Sequence, residues 1–218
     1  VHSPQPGALS LTQVTERGTL YAMDQIHALT KIAKAHDVPV HLDGARFANA
    51  LVALDVSPAE MSWRAGVDAV SFGGTKNGLM GVEAAVIFDP AQAWEFELRR
   101  KRGGHLFSKN RYLAAQMAAY LTDDLWLDMA RSANAAGQKL AHELSQIPHV
   151  EFDVTPQANM LYASFPRSAH RRLQDAGAKY YLHGSLDGPD DEMLLSRLVT
   201  DWSCPKAHID QFVQLLRG

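Results

Sequence analysis

Two residues of opposite charge, Asp43 and Lys76, each follow a short apolar run that ends abruptly in small and charged residues. The first run is VPVHL, and the second is DAVSF, which leads into Gly73-Gly74-Thr75-Lys76. Buried parallel strands end in this way where the carboxyl edge of a sheet carries a site. The two residues lie far enough apart for a helical crossover between neighbouring parallel strands, so an acid and an amine can share one strand-end crevice.

A lysine at such an edge has a specific chemical use. An ammonium group in surroundings of low dielectric constant loses its proton readily and becomes a nucleophile towards carbonyls. Pyridoxal phosphate (PLP) requires a lysine for its aldehyde and an acid that keeps its pyridine nitrogen protonated. Lys76 and Asp43 would supply both groups. The alternative is that Asp43 caps the helix after it and that Lys76 is a solvated loop residue.

The two motifs HLDGARFANA and SFGGTKNGLMG together resemble those of the fold-type I PLP enzymes, most closely the threonine aldolase and β-eliminating lyase group. The similarity continues through GVEAAVIFD to LLSRLVTDW near the C-terminus and so covers nearly the whole chain. In that group, the aspartate of the first motif pairs with the pyridine nitrogen. The lysine of the second motif carries the cofactor.

The resemblance implies roles for four residues of the two motifs. Lys76 is expected to be the catalytic residue and to hold PLP, and Asp43 is expected to contact the pyridine nitrogen. Arg46 is expected to contact the phenolic oxygen of the cofactor or the substrate carboxylate, and Thr75 the phosphate. Many threonine aldolases place a histidine near the substrate hydroxyl where this chain has Thr15, so the base for the hydroxyl proton is not identified.

Arg197 lies in the apolar segment LLSRLV near the C-terminus. An arginine in an apolar strand needs an anionic partner, and the carboxylate of an amino acid matches its planar fork well. The alternative is a structural ion pair with Asp190, Asp191 or Asp201. The resemblance favours binding of the substrate carboxylate, because the corresponding arginine of the family lies in a similar R-L-V-T context.

The reaction implied by the resemblance is aldol cleavage of β-hydroxy-α-amino acids, of the L-threonine or allo-threonine type, to glycine and an aldehyde. Another PLP-dependent amino-acid lyase or a transaminase-like enzyme is the alternative, because the same lysine and aspartate serve many reactions. Members of the group are longer, so the sequence resembles the C-terminal part of such a chain. An inactive fragment that needs an N-terminal segment, with its phosphate-binding turn, is therefore a further alternative.

The expected fold is α/β, namely the C-terminal part of the fold-type I large domain plus a small α+β domain. Residues 1–123 are expected to be the remainder of the PLP-binding domain with a mostly parallel sheet, 124–148 a bridging helix, and 149–218 the small domain. The segment after Lys76 follows too closely for a crossover, so its strand is expected to be antiparallel. The predicted strands are 8–14, one beginning at Pro39, 68–72, 83–88, 150–154, 160–164 and 194–200, and the predicted helices are 22–36, 47–54, 91–102, 109–120, 124–145, 168–176 and 205–216.

Composition limits the classes of partner. The 218 residues are 46% hydrophobic with a net charge of −3, an ordinary globular composition without signs of a nucleic-acid partner. No apolar run approaches the roughly 18 residues of a membrane span. The single Cys204 fits a reducing compartment, so a cytoplasmic location is expected. The ten histidines show no zinc-site spacing, so no metal is expected. The resemblance implies an amino-acid substrate and a homodimer or homotetramer.

Overall fold

A computed structural model describes residues 5–218, so the first four residues of the expected PLP-binding domain lie outside the described residues. The chain divides into two compact units, which we call the first and second unit. The first contains the residues up to Val14 together with Tyr21–Asp128, and the second contains Thr15–Leu20 and Met129–Gly218. The three-part division expected from the sequence, with boundaries at 123 and 148, stays a prediction.

The first unit is built on a four-stranded sheet in which three parallel strands are followed by an antiparallel one. The spatial order of the strands is their chain order: β1 (Leu9–Thr12), β2 (Val40–Gly44), β3 (Ala69–Gly73) and β4 (Glu83–Ile87). This arrangement confirms the α/β fold and the antiparallel strand after Lys76. Because β2 and β3 are parallel, their carboxyl ends lie at the same edge of the sheet.

The two faces of this sheet differ in polarity, because successive side chains of a strand point to opposite faces. One face is apolar and carries the buried side chains Leu11, Val40, Leu42, Val70 and Phe72. The other face is polar and carries Ser10, Thr12, His41, Asp43 and Ser71. The register pairs Asp43 with Thr12 of β1 and Ser71 of β3, so the acid lies in a row of polar side chains.

Helices connect and follow these strands. They are α1 (Met23–Ala35), α2 (Phe47–Leu54), α3 (Pro58–Met61), α4 (Ala93–Arg102) and α5 (Arg111–Leu121). Helix α1 buries Ile26, Thr30 and Ala33, which share one face because their spacing is helical. A capping box begins α3: Ser57 Oγ accepts from Glu60 N at 3.3 Å, and Glu60 Oε2 accepts from Ser57 N at 2.8 Å.

The second unit packs three helices against a four-stranded antiparallel sheet of spatial order β5-β6-β8-β7. Helix α6 (Leu125–Ser145) begins in the first unit and belongs to the second unit from Met129 onwards. The other elements of the second unit are β5 (Glu151–Phe152), β6 (Met160–Pro166), α7 (Arg167–Asp175), β7 (Tyr181–His183), β8 (Met193–Val199) and α8 (Lys206–Arg217). Strand β7 was not predicted. The core contains Leu144, Leu161, Phe165, Leu173 and Leu216, all fully buried. In residues 5–218, no helix combines the length and the apolar character needed to cross a bilayer.

Candidate active site

Asp43 is the penultimate residue of β2 and is half-buried on the polar face of the first unit's sheet. Its backbone carbonyl accepts a hydrogen bond from Gln13 N at 2.9 Å, which fixes the strand. Its side-chain Oδ1 accepts from Ala45 N at 3.0 Å, so the carboxylate is held by the turn that follows the strand. Within the described residues, no hydrogen bond reaches Oδ2, and this oxygen is therefore available to a ligand.

Lys76 lies in a one-turn 3-10 helix, Thr75–Asn77, directly after β3. Two glycines make this turn sterically possible. A Cβ on Gly73 would lie 2.3 Å from the carbonyl oxygen of Ala45, and one on Gly74 would lie 2.6 Å from the carbonyl oxygen of Val82. The Lys76 side chain is exposed, and in the described part of the chain it makes no ion pair or hydrogen bond. The structure thus brings a free amine and the Asp43 carboxylate to the same edge of one sheet.

Asn77 anchors the turn on the side that follows Lys76. The Asn77 side chain is 3% exposed, and its Nδ2 donates to the Tyr120 hydroxyl at 2.6 Å and to the Trp126 carbonyl at 2.8 Å. Burial raises the pKa of Tyr120 to about 12, so the hydroxyl stays neutral and its oxygen can accept. Sequence reasoning missed this anchor, because its partners lie far along the chain.

Glu83, the first residue of β4, anchors the turn on the side that precedes Lys76. Its Oε2 accepts from Gly74 N at 2.8 Å and its Oε1 accepts from Thr75 N at 3.2 Å. The Thr75 hydroxyl donates to the Val82 carbonyl at 3.3 Å. The N–H and the hydroxyl of Thr75 are therefore engaged within the protein, and its expected contact with a phosphate stays a prediction.

Arg46 lies between β2 and α2, in the segment that also carries Asp43. It is half-buried and forms the N-terminal boundary of α2, and its carbonyl accepts from Ala50 N at 3.1 Å. The structure places Arg46 three residues after Asp43, beyond the carboxyl end of β2. Its expected contact with the cofactor or the substrate stays a prediction.

A chain of side-chain hydrogen bonds crosses the three parallel strands beside Asp43. His41 Nδ1 is 2.8 Å from Ser10 Oγ, and His41 Nε2 is 2.8 Å from Ser71 Oγ. Both ring nitrogens thus have a hydroxyl within hydrogen-bond distance, and a hydroxyl can either donate or accept. The sequence showed His41 only as part of a strand, since no local signal connects it to Ser10 and Ser71.

Arg197 lies in the second unit, in the middle of β8. Its cross-strand neighbours are Tyr162 on β6 and Tyr181 on β7. The guanidinium carbon lies 5.4 Å from the centroid of the Tyr181 ring, within the range of a cation–π interaction. The buried Nε has no hydrogen-bond partner among the described residues, although a buried donor is normally paired.

The structural ion pair that was the alternative role for Arg197 is not formed. In the described part of the chain, no ion pair connects Arg197 to Asp190, Asp191 or Asp201. Asp190 instead contacts Arg171 of α7. Arg197 therefore keeps a guanidinium without an acidic partner among the described residues, and its expected contact with a substrate carboxylate stays a prediction.

Thr15, which occupies the position of a histidine in many relatives, lies in a tight turn of the second unit. Its Oγ1 forms a 2.7 Å hydrogen bond with Thr19 Oγ1 and accepts from Thr19 N at 3.1 Å and from Arg17 N at 3.3 Å. A hydroxyl engaged in this way shapes the turn. Among the residues that the structure describes, no group of histidine, cysteine and acidic side chains could hold a metal ion.

Comparison with known proteins decides the family. The profile of the β-eliminating lyases matches residues 1–165. The chain belongs to the β-eliminating lyase family. The resemblance that the motifs around Asp43 and Lys76 suggested is thus confirmed.

Two curated relatives of this member of the β-eliminating lyase family are both described as low specificity L-threonine aldolases. The chain is 40% identical over 181 residues to the one from Pseudomonas aeruginosa, a match that covers 83% of this chain and 52% of the relative. It is 34% identical over 218 residues to a low specificity L-threonine aldolase of a Pseudomonas species, covering 100% of this chain and 61% of the relative. The chain thus spans only a little over half the length of these relatives.

Solved structures support the fold. A threonine aldolase of Leishmania major superposes with a TM-score of 0.87 at 23% identity. The match covers 97% of this chain and 60% of the Leishmania chain. A putative L-allo-threonine aldolase of Listeria monocytogenes superposes with a TM-score of 0.72 at 17% identity, covering 100% of this chain and 62% of that structure. Both units of this chain therefore have the α/β and α+β architecture that the motifs predicted.

Proposed function

We propose that this chain forms the lysine-bearing part of a PLP-dependent enzyme that cleaves β-hydroxy-α-amino acids of the threonine type into glycine and an aldehyde. The observation that carries the proposal is the free amine of Lys76 at the same sheet edge as the half-buried carboxylate of Asp43. The name shared by the two Pseudomonas relatives supports the reaction. For threonine, the bond between Cα and Cβ breaks and the aldehyde is acetaldehyde.

The residues at this edge fit PLP. An exposed amine without a protein partner suits the aldehyde of the cofactor, and a carboxylate with one unpaired oxygen suits a protonated pyridine nitrogen. When bound, PLP withdraws electrons from Cα of the substrate, which is what allows the bond to Cβ to break. In this proposal, Lys76 holds the aldehyde and Asp43 keeps the proton on the pyridine nitrogen.

The remaining residues of the proposal bind and orient. Arg197 would hold the substrate carboxylate with its planar fork, and this role is supported by the lack of an ion pair to Asp190, Asp191 or Asp201 in the described residues. Fixing the carboxylate restricts how the substrate can turn, and such orientation contributes to the rate. Arg46 would contact the phenolic oxygen of PLP or the same carboxylate, and Thr75 the phosphate. A homodimer or homotetramer and a cytoplasmic location stay predictions.

The first experiment is an absorbance spectrum of the purified chain with added PLP, followed by borohydride reduction and peptide mapping. We expect a band near the edge of the visible range and a reduced PLP adduct on Lys76, both absent from Lys76→Ala. The control Lys31→Ala removes an exposed lysine of α1 and should leave band and adduct unchanged. Release of an aldehyde from threonine then distinguishes aldol cleavage from another PLP-dependent reaction.

The same spectra on a chimera address the alternative that the chain needs a preceding segment. The N-terminal part of the Pseudomonas aeruginosa relative is fused to this chain, and the Lys76→Ala change is repeated. A Lys76-dependent band in the chimera alone would support the lysine assignment and identify the 218-residue chain as incomplete. Absence of the band from both folded proteins, or its persistence in Lys76→Ala, would refute the proposal.

A further inference from the structure

Glu83 holds the turn that presents Lys76. We infer that Glu83 is a positioning residue for Lys76, an inference that rests on the proposed function of that lysine. The register pairs Gly73 of β3 with Glu83 of β4, so the carboxylate lies directly beside the end of the strand. From there, its two oxygens accept from two consecutive backbone N–H groups, those of Gly74 and Thr75.

Hydrogen bonds to an ionised carboxylate are stronger than those between neutral groups. The bonds of 2.8 and 3.2 Å therefore fix the two peptide units that lead into Gly74 and Thr75, just ahead of Lys76. The buried Asn77 side chain fixes the residue immediately after it. Lys76 thus has a backbone anchored on both sides and an unpaired side chain, an arrangement that directs the amine without restraining its chemistry.

The position of Glu83 argues against a role in core stability. Its side chain is exposed, and β4 is one of the two edge strands of the described sheet. Hydrogen bonds at exposed positions contribute little to the free energy of unfolding, because water replaces them when they break. Their effect is local, since they select one conformation of the turn.

The same contacts also exclude an alternative ligand of the turn. Two consecutive backbone N–H groups that point the same way attract anions such as phosphate. Here the carboxylate of Glu83 already occupies both N–H groups. A cofactor phosphate near Thr75 would therefore have to replace the Val82 carbonyl as the acceptor of the Thr75 hydroxyl, and it would meet the negative charge of Glu83.

The test compares the wild-type chain with Glu83→Ala and Glu83→Gln. The control Glu97→Gln changes an exposed glutamate of α4 that pairs with Arg100. Amide hydrogen exchange of Gly74 and Thr75 reports the contacts without any cofactor. The rate at which borohydride traps PLP on Lys76 reports the position of the amine. Thermal unfolding reports the stability of the whole fold.

We expect Glu83→Ala to accelerate exchange of the two amides by about tenfold, the effect of losing bonds to a charged acceptor. Trapping on Lys76 should slow severalfold while the unfolding temperature stays within about 2 °C of the wild type. Glu83→Gln keeps one acceptor oxygen, so its amide exchange and trapping rates should lie between those of the wild type and those of Glu83→Ala. The control should match the wild type in all three measurements.

The outcomes separate the two proposals. Unchanged amide exchange in Glu83→Ala would overturn the inference, and so would faster exchange with unchanged trapping, which would leave Glu83 a purely structural residue. If the wild-type chain and the chimera trap no PLP on Lys76, the proposed function fails. In that case, the amide exchange alone still decides whether Glu83 holds the turn.

Discussion

Replacing Asn77 by alanine should destabilise the first unit and disorder the turn that carries Lys76. Asn77 is 3% exposed and its two acceptors belong to Tyr120 and Trp126, which are 1% and 7% exposed. The substitution leaves a buried hydroxyl and a buried carbonyl without their donor. Each such group costs about 1 to 3 kcal/mol, so we expect a loss of at least about 2 kcal/mol in the free energy of unfolding. That is a large fraction of the typical 5–15 kcal/mol.

The assay must report on the first unit, because a chain with two compact units need not unfold in one step. Hydrogen exchange measured by mass spectrometry at increasing urea concentrations meets this need, read on peptides that contain β3 and α5. Tyr120→Phe is the matched variant, since it removes one acceptor and leaves Asn77 its bond to Trp126. It should cost about 1 kcal/mol.

The double variant completes a thermodynamic cycle. Since Asn77 and Tyr120 share a 2.6 Å hydrogen bond, we expect their effects to be non-additive by at least about 0.5 kcal/mol. A loss below about 1 kcal/mol for Asn77→Ala, or an additive cycle, would refute the reasoning that this buried amide holds the turn. PLP trapping on Lys76 should also slow in Asn77→Ala and remain near the wild-type rate in Tyr120→Phe.

Three further predictions concern the second unit. Tyr181→Leu should weaken glycine binding by the chimera two- to fivefold in calorimetry, because the cation–π contact with Arg197 contributes about 0.5 to 1 kcal/mol. Tyr181→Phe keeps the ring and should bind glycine with the affinity of the unmodified chimera. Arg167→Ala should lower the stability of this unit by about 1.5 to 3 kcal/mol in the same exchange assay, because the 4%-exposed guanidinium donates to two loop carbonyls and to the half-exposed Glu192. Equal stability would contradict this role. Burial lowers the pKa of His170, so the folded state binds fewer protons than the unfolded state. The free energy of unfolding should therefore fall as the pH drops below about 6.5, and this pH dependence should be absent from His170→Phe.

Sequence patterns predicted most of the elements, because the buried faces of this chain have clear periodicity. Helix α2 was predicted with its observed bounds, and β2 and β3 end where the apolar runs give way to glycine and charge. Strand β7, Tyr181–His183, was missed because its sequence YLH shows no alternation of apolar and polar residues, whereas the two-residue β5 lies within the alternating segment VEFDV. It exists because β8 offers a free edge, which is a property of the folded chain and not of the local sequence.

The site shows the same division between local and long-range information. Asp43 and Lys76 were found because each lies in a motif next to a strand end. Glu83 and Asn77 were missed because their importance lies in contacts: Asn77 meets partners 43 and 49 positions away, and Glu83 reaches back across a strand pairing. For Arg197, the sequence offered three nearby acids as partners, and the folded strand uses none of them.

The pattern of paired and unpaired charges gives an independent argument for function. Lys34 and Asp68 of the first unit, which have no proposed role, pair with N–O distances of 2.5 and 2.6 Å. Lys76 and Asp43 lie at one sheet edge, yet in residues 5–218 no ion pair joins them and each keeps a polar group without a partner. Selection for folding alone favours pairing or replacement of a half-buried carboxylate such as Asp43, since an unpaired charge of this kind contributes nothing to stability. Their isolation, together with a turn held firmly on both sides of the lysine, is what a site requires when its missing partner is a ligand.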